Sequence, residues 1–278
     1  MRVETDERNQ AMKCSNRNFF AFGFFLFSSL ILSSCSQSQS HEFNYDEGTG
    51  RGPSRWGSLK PEWRNCSVGQ EQSPINIGTV HVRSQLGDLQ RNYASAPAVL
   101  RNRTEDVAVI WLGNAGSITI NGIVYRVVNC HWHSPSEHTF NGTRLPLELH
   151  IVHRSAQNRI AVVAILYRYG LPDPFLLRLF GSIITLGLGE RQLGRVNPVS
   201  IGIPGRRYYR YMGSLTTPSC SEGVVWTVFQ QNKMASWLQV AAIRNALPPQ
   251  YRNNSRPTQP LNRRTILLYD PARTGIFT

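Results

Sequence analysis

The sequence predicts a mostly β, single-domain protein of the α+β class with short peripheral helices. Three observations carry that expectation. Short runs rich in Val, Ile and aromatic residues recur along the chain, turn residues separate them, and only two stretches have helical spacing. The chain has 278 residues, 41% hydrophobic and 17% charged, so it can bury a proper core. That composition excludes a disordered tail and a coiled coil, and ordinary Gly and Pro contents exclude a collagen-like repeat.

In chain order, Arg8, Lys13 and Arg17 precede the apolar run Phe19–Leu32 and the small residues Ser33 to Ser36. This is the pattern of a secretory signal over residues 1–36, although Glu4, Asp6 and Glu7 are unusual in such a leader. The run is shorter than the roughly 20 residues a membrane-spanning helix needs, and no later segment is apolar for longer, so no transmembrane segment is predicted. Residues 37–278 then form the domain, with its core at about 43–270. Residues 37–60 read as a polar, extended arm. Strands are predicted at Val107–Leu112, Ser117–Ile120, Val124–Val128, Leu147–Val152, Ile160–Tyr167 and Val224–Phe229. Asn121-Gly122 marks a two-residue hairpin. Helices are predicted at Pro174–Ile184 and Asn232–Asn245, the second from the spacing of Met234, Trp237, Leu238, Ala241 and Ala242.

The formal charge is +13, and all but three of the 30 basic residues are arginine. They are scattered, without a zinc finger, an RNA-recognition signature or a basic helix, so no nucleic-acid partner is predicted. Four Asn-x-Ser/Thr triplets, at Asn65, Asn102, Asn141 and Asn253, are candidate N-glycosylation acceptors behind a secretory leader. Removing the leader leaves Cys66, Cys130 and Cys220, which suits one disulfide and one buried thiol in an oxidising compartment. Spacing alone does not choose the pair.

The histidines carry the chemistry. In a β run, His131 and His133 point to one face and Trp132 to the other. The next run places Glu148 and His150 on one face, and residues 134–146 between them can form a wide loop. Antiparallel pairing then converges three imidazoles from adjacent strands, the donor set of a catalytic zinc with an open fourth position. A His-x-His pair by itself is more often core or surface. A third histidine with a carboxylate two residues before it strengthens the metal reading, because such carboxylates orient ligating rings.

Four motifs occur in order: Gln72-Ser73-Pro74-Ile75-Asn76-Ile77, His131-Trp132-His133-Ser134-Pro135-Ser136-Glu137-His138-Thr139, Glu148-Leu149-His150-Ile151-Val152-His153, and Gly213-Ser214-Leu215-Thr216-Thr217-Pro218. Together they resemble the α-class carbonic anhydrases, in particular the secreted plant-type members, from about Phe43 to Tyr269. The resemblance implies a large, mainly antiparallel twisted central sheet. It also implies a carbonate dehydratase that reversibly hydrates carbon dioxide to bicarbonate and a proton by attack of a zinc-bound hydroxide. The Zn2+ ligands would be His131, His133 and His150. In this family the bound water has a pKa of about 7, a general property of carbonic anhydrase and not a result for this chain. Thr216 would accept a hydrogen bond from the hydroxide and donate one to Glu137. Glu148 would fix the tautomer of His150. Val152, Val162, Leu215, Thr217, Val224 and Trp226 would line the substrate pocket. His138 and His153 match structural histidines, and Cys66 and Cys220 match a disulfide, leaving Cys130 as the buried thiol. Sulfonamide-type inhibitors are expected to bind. The destination would be extracellular or apoplastic, or a plastid compartment reached through the secretory route. Nothing in the resemblance fixes an oligomeric state.

Several positions depart from the family pattern. Glu105 stands where a proton-shuttling histidine is expected, after Asn102-Arg103-Thr104 in place of Asn-Arg-Gly. An ordinary glutamate titrates near ~4.3, too low for efficient relay at neutral pH, so slower and more buffer-dependent turnover is expected unless its pKa is strongly raised. Asn129 replaces a glutamine that hydrogen-bonds the first ligand; its shorter side chain is expected to lose that bond or to carry it through water. Ser219 replaces a proline, with a loosened loop expected. Asn102 matches the cavity rim, where a glycan would crowd the entrance. The competing reading is a non-catalytic or weakly active storage or secreted relative, which loss of any of the three imidazoles would favour; all three are present.

Overall fold

The computed structural model describes residues 42–273, so the candidate secretory signal lies outside the described residues. Among them, a 13-stranded sheet forms the centre, and a small three-stranded sheet flanks it. Most ladders are antiparallel, but Ile160–Tyr169 pairs in parallel with Glu222–Phe229 and with Lys233–Ala235, so the sheet is mixed. The reason lies in the sequence Ile160-Ala-Val-Val-Ala-Ile-Leu-Tyr167, a near-continuous apolar run suited to a strand covered on both faces. Ala161, Val163, Ile165 and Tyr167 enter one hydrophobic core, and Val162, Ala164 and Leu166 enter a second on the opposite face. Full burial of each such aliphatic side chain contributes about 1.5–3 kcal/mol.

The predicted strands appear, several of them longer. Val107–Trp111, Gly116–Ile120, Ile123–His133, Leu147–Ser155, Ile160–Tyr169 and Glu222–Phe229 cover the expected runs. Asn121 and Gly122 turn the hairpin between two of them with φ of 49° and 76°. That is the left-handed conformation which an Asn-Gly hairpin turn requires. The loop at 134–146 carries a hairpin of its own, Thr139–Phe140 with Thr143–Arg144, docked on Asn76–Ile77.

The helix Pro174–Ile184 matches its expected bounds. Asp173 caps it by accepting from Leu176 N, and proline opens its first turn. The second helix is shorter than expected, Trp237–Asn245. Ser236 and Gln239 form a reciprocal capping box that sets its start, and Lys233–Ala235 is drawn instead into the sheet beside Tyr167–Tyr169. The buried face carries Gln239, Val240, Ala242 and Ile243, while Trp237 and Leu238 are exposed.

The described part of the 37–60 segment is a packed aromatic corner and not an extended arm. Phe43, Tyr45 and Trp56 meet edge to face at 5.2–6.2 Å. Trp56, fully buried, donates its indole N–H to the carbonyls of Asn44 and Arg51. Polar residues and glycines predict an extended arm here, and the aromatic residues among them decide its packing.

Candidate metal centre

His131 lies directly opposite His150 in the antiparallel register between Ile123–His133 and Leu147–Ser155, with Glu148 opposite His133. Two residues along the first strand, His133 points to the same face as His131. The three rings converge, with centroids 4.6–5.4 Å apart. One nitrogen from each lies within 4.8 Å of the others.

Each ring is held by a bond at its outer nitrogen. His131 Nδ1 donates to Asn129 Oδ1 at 3.0 Å, His133 Nδ1 to the Asn254 carbonyl at 2.7 Å, and His150 Nε2 to Glu148 Oε1 at 2.7 Å. These bonds leave Nε2, Nε2 and Nδ1 with lone pairs facing one point. His133 Nε2 is buried and has no hydrogen-bond partner, an orphaned acceptor that a cation would satisfy. Burial pushes the His131 pKa well down, helped by Arg103 and the neighbouring rings. Burial also lowers His150, against the pull of Glu148. Both rings are therefore neutral at neutral pH, the state that ligates metal. The donor set fits zinc. The expectation that Asn129 loses its bond is corrected, since the shorter amide still reaches its ring directly.

Burial would push Glu148 up, but its partners outweigh that effect and hold it well below the usual carboxylate range. It accepts from His138 Nδ1 at 2.6 Å and His150 Nε2 through Oε1, and from the Glu137 and His138 backbone N–H groups through Oε2. His138 is further bonded to the Tyr211 hydroxyl, consistent with a structural part.

Glu137 is fully buried. Its Oε1 accepts from Arg256 N at 2.8 Å, and its Oε2 has no hydrogen-bond partner. Oε2 faces the centre, 3.7 Å from His133 Nε2 and 3.9 Å from His150 Nδ1. No bond from Thr216 to Glu137 is formed here, and Oε2 is left open. Thr216 is itself buried, and Thr217 half-buried with its carbonyl accepting from Cys220 N.

Val162, Val224 and Trp226 are buried in one apolar cluster, with Val152 and Leu215 packed against it. The Trp226 ring lies 4.9 Å from that of His150, so this cluster adjoins the centre. The Cys66–Cys220 disulfide is formed, and Cys130 is the buried free thiol. Ser219 Oγ bonds Ser221 Oγ at 2.7 Å, a contact that proline could not make.

Glu105 is half-buried, and burial followed by repulsion from Asp106 raises its pKa to about 7. That environment favours the strongly raised pKa under which Glu105 accepts a proton near neutral pH. Asn102 is only 7% exposed, and its Nδ2 donates to the carbonyls of Gly187 and Ala246. The atom a glycan would occupy is committed to the fold, which speaks against Asn102 as an acceptor. Asn65, Asn141 and Asn253 are exposed.

Two residues of the site escape sequence reasoning. Asn254 accepts from His133, and its Nδ2 donates to the carbonyls of Glu105 and Trp132. Arg256 positions Glu137 and threads its guanidinium to Gln72, Ser73 and Cys66. Asn254 and Arg256 follow the partners they hold, His133 and Glu137, by 121 and 119 residues, with no local pattern to mark them.

The family model for eukaryotic-type carbonic anhydrase matches residues 51–270. The chain belongs to that family. It is 45% identical over 231 residues to alpha carbonic anhydrase 4 of Arabidopsis thaliana, covering 82% of this chain and 86% of the relative. Among solved structures, a dioscorin complexed with ascorbate is 43% identical, with a TM-score of 0.81 over 83% of this chain and 98% of that one. The α-carbonic anhydrase of Thermovibrio ammonificans, solved with the inhibitor sulfanilamide, is 33% identical, with a TM-score of 0.73 over 81% and 98%. As a carbonic anhydrase, the chain is a carbonate dehydratase that interconverts carbon dioxide and water with bicarbonate and a proton.

Proposed function

We propose that His131 and His133 through Nε2, and His150 through Nδ1, hold one zinc ion at which this carbonic anhydrase works. The supporting observation is the commitment of all three outer nitrogens to hydrogen bonds, with His133 Nε2 buried and unpartnered. When bound, zinc supplies the Lewis acidity that makes water nucleophilic near neutral pH.

The chain's own residues supply orientation, dryness and proton transfer. Glu137 Oε2 is the open acceptor for the Thr216 hydroxyl. With its proton turned to Glu137, Thr216 offers its oxygen as acceptor to the attacking water and so aims it. Val152, Val162, Leu215, Val224 and Trp226 exclude water and accept apolar carbon dioxide, with Thr217 at the polar edge. Glu105, with a pKa of about 7, takes the product proton toward solvent, because a relay works best near the operating pH. The similarity to a sulfanilamide-bound enzyme supports sulfonamide inhibition.

Metal analysis of the purified protein alongside acetazolamide-sensitive hydration tests this reading. One zinc per chain and inhibited turnover are expected; active but metal-free protein would sink it.

The leader-like residues 1–36 support entry to the secretory pathway, and the disulfide fits its oxidising lumen. An extracellular or apoplastic destination, or a plastid reached by that route, follows. Among the described residues, no helix is long and apolar enough to cross a membrane. Peptide mapping of secreted protein should find glycans at Asn65, Asn141 or Asn253 and none at Asn102. Retention of residues 1–36 in the mature chain would overturn the leader.

A further inference from the structure

The face of the sheet opposite the histidine cluster holds a charged group that the reaction does not use. Along the strand Tyr208–Ser214, alternation sends Tyr209 and Tyr211 into the core beside the histidines and Tyr208 into the other core. Arg210 shares the Tyr208 side and is only 8% exposed. Its Nε donates to Thr227 Oγ1 at 3.0 Å, on the residue directly opposite in the neighbouring strand. Its guanidinium carbon lies 5.1 Å from the centre of the Tyr208 ring. Neither contact neutralises it, and among the described residues no carboxylate pairs with it. Burial lowers its pKa, and the charged-group neighbours that act against this are the tyrosines Tyr208 and Tyr125. A buried cation without an anion is costly to keep.

Arg210 lines a cleft of about 230 Å³ together with Gln85, Asp88, Gln90, Thr119 and Asn121. The volume is that of several waters or one small ion with its hydration. Asp88 does not supply the missing charge. Its two carboxylate oxygens are held by Arg206 at 2.8 and 2.6 Å, and Arg91 acts on it as well. The carboxylate at the cleft is thus already paired, and with Arg206 rather than Arg210. The Tyr208 hydroxyl is engaged with the carbonyls of Leu86 and Gly87. What remains is a partly desolvated positive fork ringed by neutral amide and hydroxyl groups.

We propose that this cleft binds a small oxoanion of carboxylate geometry, with Arg210 as its charged floor, on the face of the sheet opposite the histidine centre. A planar guanidinium fork matches a two-oxygen anion, and the surrounding amides supply further donors.

Calorimetric titration of formate into the zinc-loaded enzyme, with the histidine centre blocked by sulfanilamide, tests the site. One saturable formate per chain with millimolar affinity is expected, weakened about tenfold or more in Arg210→Gln. Should that variant fail to fold, Gln90→Glu at the exposed rim places a like charge beside the anion and should weaken binding several-fold. Displacement of bound formate by bicarbonate would assign the reaction's own product to the cleft; binding without displacement would assign organic carboxylates, and both uphold the site. The proposal is overturned by no saturable binding at about 50 mM formate, far above a millimolar constant. Equal affinity in the wild type and either folded variant overturns it too. Formate at the histidine centre would be insensitive to both variants, so a binding event that they weaken belongs to the cleft and stands apart from the zinc assignment.

Discussion

Glu148 Oε1 lies 2.7 Å from His150 Nε2, and this contact leaves His150 its other nitrogen facing the candidate metal centre, where His131 and His133 leave Nε2. The same oxygen also accepts from His138, so one fully buried carboxylate ties a ring of the candidate metal centre to the buried His138. Replacing it by Glu148→Gln removes the charge that favours the Nε2–H tautomer. Zinc affinity measured by chelator competition should fall about 10–100-fold, since outer partners of ligating histidines typically carry that much. Unchanged affinity would mean that packing alone orients the ring.

Glu105→Gln removes a half-buried carboxyl with a pKa of about 7, the proposed proton relay. Hydration should slow in weak buffer and recover when imidazole is added, because the exogenous base replaces the lost acceptor. In the wild type, the acceptor form gains as pH rises through about 7. The same shift has a stability consequence of defined sign. A carboxyl raised from its ordinary 4.5 favours the folded state fully below that value and loses this advantage as pH rises through about 7. Relative to wild type, Glu105→Gln should therefore gain stability above pH 7, by about 1–3 kcal/mol, as read in denaturant melts at several pH values.

Thr104 adopts a φ of 76°, a region that a β-branched residue enters only under strain. The turn survives because Thr104 N donates to Asn102 Oδ1 at 2.8 Å and flanking strands hold both ends. Thr104→Gly should stabilise the protein by about 1 kcal/mol and raise Tm by about 2–4 °C. A lower Tm in calorimetry would show that the threonine side chain compensates its own backbone.

Cys66 and Cys220 are 154 residues apart, so their disulfide closes most of the domain into one loop. Cys66→Ser with Cys220→Ser should cost about 2–5 kcal/mol in denaturant unfolding. Hydration should fall as well, because Arg256, which donates to Glu137, also donates to the Cys66 carbonyl. Full activity with unchanged unfolding would refute that coupling.

The strand pattern, the Asn121-Gly122 hairpin, the helix at Pro174–Ile184 and the His131–His133 pair are legible in the chain because each rests on contacts only a few residues apart, and one loop between adjacent strands adds His150. Side-chain alternation aligns His131 with His133, and an apolar run of β-branched residues favours a strand wherever it is buried. The order of motifs extended that reading to the family, the disulfide and the apolar wall. Tertiary structure decided what depends on distant partners. The dielectric around Glu105, the burial of Asn102 and the pairing of Lys233–Ala235 with the sheet all arise from the packing around them. Asn254 and Arg256 complete the site from the far end of the chain, where spacing carries no information about which residue they will meet. A pKa or a committed amide is a property of surroundings, and surroundings exist only once the chain has folded.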